Sequence, residues 1–141
     1  MGRTIVGAVV GIVFAMLTIT LVEWAGHQAY PPPPGLNPMV AEDMSRIIAM
    51  QPFGALVVVV VAWVVGAFDG GWVAALIARD NRPRIAAAVP ALVVMAGVVG
   101  MIVMMPSHPT WMAVAGLLLP LPAAVAGAAL AGTRRRRAAA Q

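Results

Sequence analysis

A chain of 141 residues that is 62% hydrophobic and 10% charged lacks the polar surface to cover a water-soluble globule, since soluble domains are about 45–50% apolar and about 25% charged. The net charge of +4 is carried by Arg with no Lys, in short clusters beside apolar stretches; this pattern points to lipid headgroups and away from nucleic acid. With no Cys, disulfides, thiolate-bound metals and thiol catalysis are excluded, and without Lys there is no Schiff-base chemistry.

The first apolar stretch, residues 5–22, has the roughly 17–25 residues that a membrane-spanning helix needs. It exceeds the ~7–15 residues of a signal-peptide core and is followed by no small-residue cleavage site, so it reads as a retained helix. Glu23, His27 and Tyr30 follow it at i, i+4 and i+7, and share one helical face if the helix runs on past Val22. The outer loop, 23–52, then begins with Tyr30-Pro31-Pro32-Pro33-Pro34-Gly35, which cannot be helical and predicts a stiff polyproline II strut. Asn37 as N-cap and Pro38 at the first helical position predict a short helix. Its apolar residues Val40, Met44, Ile47 and Ile48 lie opposite Glu42, Asp43, Ser45 and Arg46, as in a helix lying on a membrane surface.

Further spans are predicted over residues 53–78, 85–105 and 111–131, with a basic tail over 132–141. Pro120 and Pro122 each remove a backbone donor and predict a kink in the fourth. Gly7/Gly11, Gly66/Gly70, Ala96/Gly100 and Ala124/Ala128 are small-residue pairs one turn apart, a pattern that lets helices pack closely, within the chain or between copies. The fold class is therefore all-α, a four-transmembrane-helix bundle forming a single membrane domain.

Orientation follows from the arginines. Arg3, Arg79, Arg82, Arg84 and Arg134 to Arg137 flank one set of span ends, and only Arg46 lies at the other. Both termini are expected on the cytoplasmic side of a bacterial inner membrane. Glu23-x-x-x-His27-x-x-Tyr30-Pro-Pro-Pro, Gly54-Ala-Leu, Gly70-Gly71-Trp72, His108-Pro109-x-Trp111 and Leu119-Pro-Leu-Pro122 resemble a family of small uncharacterised bacterial four-helix integral membrane proteins. The resemblance implies the same architecture and brings with it no activity and no functional residue.

Three groups of polar residues are candidates for function. Asp69 lies ten positions before Arg79, about 15 Å deeper, where an acid costs at least ~2.5 kcal/mol. It reads either as an ion-coupling carboxylate or as a protonated acid bonded to a neighbouring helix. Glu23 is the second candidate coupling acid. His27, His108 and Glu23 fall on one side of the membrane and could ligate a divalent metal, or the histidines a haem, although no H-E-x-x-H motif is present. Outward methionines such as Met44, Met105 and Met112 read better as apolar filler than as copper ligands. Arg134, Arg135, Arg136 and Arg137 read as a stop-transfer anchor on anionic lipid headgroups. With Ser45 and Ser107 the only serines, no nucleophile–base pair is visible.

Three functions remain: a non-enzymatic accessory or ligand-binding protein, a dimeric proton-coupled transporter using Asp69 or Glu23, and an outer-face metal or haem site. The partners expected are the bilayer and either a second copy or a larger membrane protein.

Overall fold

The computed structural model describes every residue except Pro38, Asp80, Asn81, Pro106 and residues 139–141, with the backbone alone for residues 135–138. Among the described residues it is all-helical. The helices run α1 (Gly2–Ala29), α2 (Ala41–Met50), α3 (Phe53–Ala78), α4 (Pro83–Met104), α5 (Thr110–Leu118) and α6 (Pro120–Ala138). Four of the segments, Gly2–Ala29, Phe53–Ala78, Pro83–Met104 and Thr110–Arg134, are long and apolar enough to cross a membrane.

Helix α1 is longer than the hydropathy alone predicts, continuing through Glu23 and His27 to Ala29. It ends there because Pro31 disfavours helical geometry at the residue before it; Tyr30 adopts φ −131 and ψ 75, and its N–H closes the last turn on the Gly26 carbonyl. The expected capping of α2 by Asn37 is not what forms. The helix starts later, with Val40 as N-cap, because Asn37 is engaged in a turn of its own. Its Oδ1 accepts from the Met39 N–H at 2.9 Å and its N–H donates to Asp43 Oδ2 at 3.0 Å. Glu42 and Asp43 in the first turn complement the positive end of the helix dipole. Pro38, expected at the first helical position, lies outside the described residues.

The fourth span breaks between α5 and α6 at Leu119, where Pro120 and Pro122 withdraw their amides. Beyond it the backbone stays helical to Ala138, so the arginine run sits on a helical extension and not on an irregular tail. The side chains of Arg135, Arg136 and Arg137 lie outside the described ones.

Packing is inside-out relative to a soluble bundle. Most of the fully covered positions are small, among them Ala15, Ala62, Ala67, Ala74, Ala87, Ala91 and Ala124, while Ile5, Leu17, Leu21, Leu92 and Leu118 are more than half exposed. No polar or charged residue is buried among the described residues. Lipid can solvate large apolar side chains, so burying them gives no advantage; close backbone approach supplies the cohesion instead. Helix α3 is the central element, packed on α1, α4, α5 and α6, with α1 and α6 at opposite corners.

Helices α1 and α3 meet through reciprocal glycines. A methyl group on Gly70 would lie 2.6 Å from the Gly11 carbonyl oxygen, and one on Gly11 2.6 Å from the Gly70 carbonyl oxygen. On the other side of α3, a methyl group on Gly71 would meet the Ala124 carbonyl at 2.6 Å, and Gly127 sits against the Phe68 carbonyl. The Ala96/Gly100 pair has no such use within the chain: Ala96 is exposed and open space surrounds Gly100.

Candidate functional site

At the α2 end of the bundle, a cavity of about 210 Å³ lies between α1, α2 and α3. Glu23 and His27 enter it from successive turns of α1, Tyr30 from the C-cap of that helix, Ile47 and Ile48 from α2, and His108 from the turn before α5. The helical spacing of Glu23 and His27 places them on one face. Carrying α1 past Val22 is what brings that face to the cavity. Tyr30 can fold in beside α3 because Gly54 leaves room: a methyl group there would lie 2.6 Å from the Tyr30 hydroxyl.

Helix α2 forms the roof and stands off from the spans, its backbone close-packed against none of them. It reaches down with Ile47 and Ile48, both more than nine-tenths buried, as the amphipathic pattern requires. A side-chain hydrogen bond tethers it, Ser107 Oγ donating to Ser45 Oγ at 3.1 Å. Its one basic residue, Arg46, is spent within the helix on Glu42 at 2.7 Å.

His108 Nδ1 lies 3.0 Å from the Met105 carbonyl. A carbonyl only accepts, so this bond places a ring proton on Nδ1, and Nε2 is the ring atom left to meet a ligand. With Glu23, His27 and Tyr30, the cavity can offer both donors and acceptors. It does not gather them at one point: among the described residues, no group of three or more His, Asp or Glu is placed to hold a metal ion. Of the outward methionines, Met112 is buried in the apolar core beside Trp63, while Met39 and Met104 are largely exposed.

A second, larger cleft of about 570 Å³ opens beside the first, between α1 and α4 over the floor of α3. Glu23, Met44, Val59 and His108 border both spaces, so the two lie side by side. Sequence reasoning missed this cleft, and it missed its cause. Pro90, buried inside α4, fits against Gly11 and Gly70 and brings α1 and α4 together there. Nearer α2 the wall of α4 includes Gly97, and a Cβ there meets nothing within 4 Å.

Asp69 lies elsewhere. Thr18 Oγ1 donates to its Oδ2 at 3.3 Å, at the seam of α1 and α3, and Asp69 borders neither the cavity nor the cleft. Arg134 stacks over Trp72, 5.2 Å from the ring centroid, which ties the α6 extension to α3. Comparison with protein-family models, characterised proteins and solved structures found no match.

Proposed function

We propose that this chain is a non-enzymatic, multi-pass protein of the bacterial cytoplasmic membrane, with both termini cytoplasmic, that binds a small ligand in an outward-facing vestibule roofed by α2. One observation carries the reading: Glu23, His27, Tyr30 and His108, scattered over 86 positions of sequence, border a single cavity whose other walls, Gln51 apart, are apolar. A concave apolar site with a few convergent polar groups is the usual form of a ligand pocket. The arginine asymmetry supports the orientation. In this reading Pro31 to Pro34 act as a stiff strap holding α2 over the mouth. The alternative of proton coupling through Asp69 has less support, since the acid is bonded to Thr18 at a helix seam.

Native mass spectrometry of protein released gently from lipid nanodiscs tests the proposal. The natural chain is expected to carry a stoichiometric non-protein adduct that Tyr30→Phe combined with His108→Ala removes. Bare protein ions, or an adduct indifferent to the double substitution, would refute it.

A further inference from the structure

We infer that the ligand of the vestibule is a single-tailed amphiphile whose uncharged or cationic head sits among Glu23, His27, Tyr30 and His108, and whose hydrocarbon tail lies in the cleft between α1 and α4. The inference rests on the vestibule reading and extends it to a chemical class.

Size is the first argument. The head cavity alone, at about 210 Å³, falls below the ~300–1,000 Å³ of ordinary ligand pockets. The adjoining cleft adds a second space of about 570 Å³, and Glu23, Met44, Val59 and His108 border both. A molecule seated over these shared residues reaches into both.

The lining supplies the second argument. Apart from Glu23 and His108, which it shares with the head cavity, the cleft is walled by apolar residues such as Ile19, Trp63, Val94 and Met101. It lies within three of the membrane-spanning segments. Water in such a space finds no hydrogen-bond partners, so hydrocarbon fills it. The polar groups gather at one end of the combined space, the distribution that an amphiphile has in itself.

Charge decides the head. Among the described residues no Arg lines either space, and Arg46, the one Arg at this end, is bonded to Glu42. An anionic phosphate or carboxylate would meet the Glu23 carboxylate with no guanidinium to balance it. A head that donates hydrogen bonds, such as an amine or hydroxyl, is matched by Glu23 and by the open Nε2 of His108.

The test uses the full chain in phosphatidylcholine nanodiscs. Trp63 is retained as the single reporter by Trp24→Phe, Trp72→Phe and Trp111→Phe, and circular dichroism checks each variant for folding. Brominated alkyl chains quench Trp fluorescence on contact. Dodecylamine brominated at the tail end is expected to quench Trp63 saturably, and dodecanoic acid brominated likewise is not.

Gly97→Leu fills the cleft and leaves the head cavity intact. Overpacking of this kind is expected to weaken the amine about tenfold or more. Tyr30→Phe with His108→Ala is expected to weaken it too. Quenching that rises linearly with probe for both heads means ordinary lipid in the cleft and overturns the inference. Saturation lost with the head substitutions but indifferent to Gly97→Leu overturns the tail assignment and leaves the vestibule standing. Saturation indifferent to the head substitutions overturns both.

Discussion

Changing Gly70 and Gly97 separately to Ala separates packing from helix propensity. Both are helical, and each gains about 0.5–1 kcal/mol from the lower backbone entropy of Ala. Their surroundings differ. The new methyl group at Gly70 would sit 2.6 Å from the Gly11 carbonyl, 2.9 Å from the Ala15 methyl and 3.0 Å from Pro90, whereas at Gly97 it meets nothing within 4 Å. Ordinary contact begins near 3.4 Å, so α1 and α3 must separate by about 0.8 Å, the difference between 3.4 and 2.6 Å. The obstruction is backbone, which no rotamer change relieves. Overpacking costs about 1–3 kcal/mol. Gly70→Ala should therefore come out near neutral to about 2 kcal/mol less stable, and Gly97→Ala up to about 1 kcal/mol more stable. Far-ultraviolet circular dichroism during titration with sodium dodecyl sulfate in mixed micelles would read both. Two variants shifting in the same direction by the same amount would refute the reciprocal-glycine account of the α1–α3 seam.

Further expectations concern α2 and the orientation of the chain. The chain has no Cys, so Ser45→Cys with Ser107→Cys introduces the sole thiol pair, in place of hydroxyls 3.1 Å apart. Mild oxidation should consume both thiols within one chain, whereas Ser45→Cys with Thr133→Cys should keep them free; persistent thiols in the first variant would mean that α2 does not sit where described. Single cysteines at Ser107 and at Thr133, both exposed, should react with a membrane-impermeant maleimide from opposite sides. Only the first should label in intact cells. Replacing Thr18 by Val removes the donor to Asp69 and should cost about 0.6 kcal/mol, the average for hydrogen bonds between membrane helices; a loss of several kcal/mol would show Asp69 to be charged and dependent on that hydroxyl.

What the sequence made legible is set by range. Hydropathy located four spans because each is a local property of about 20 residues. Glu23 and His27 could be placed on one face because helical periodicity is local too. Their meeting with His108 was visible only as a shared side of the membrane, because which helices become neighbours depends on contacts far apart in sequence. Pro90 illustrates the gap: read alone it is a helix breaker, yet in the fold its ring fills the notch at Gly11 and Gly70. The cleft was invisible for the same reason, being a separation between two helices and not a property of either. Asn37 misled through competition, since its side chain found a nearer partner in the Met39 amide. Small-residue spacing pointed correctly at Gly7/Gly11 and Gly66/Gly70, and equally at Ala96/Gly100, where among the described residues Ala96 is exposed and a Cβ on Gly100 meets nothing within 4 Å.

The two prolines that follow Leu119 thin the backbone bonding between α5 and α6. Pro120 and Pro122 cannot return an amide to the carbonyls of Gly116 and Leu118, so nine residues from Thr110 to Leu118 are coupled to α6 by fewer bonds than a continuous helix supplies. Met112 rides on that short rod and forms part of the vestibule wall, and the His108 turn is joined to its near end. A tilt about the joint would carry Met112 and the His108 turn together, and with that turn the Ser107 hydroxyl that tethers α2.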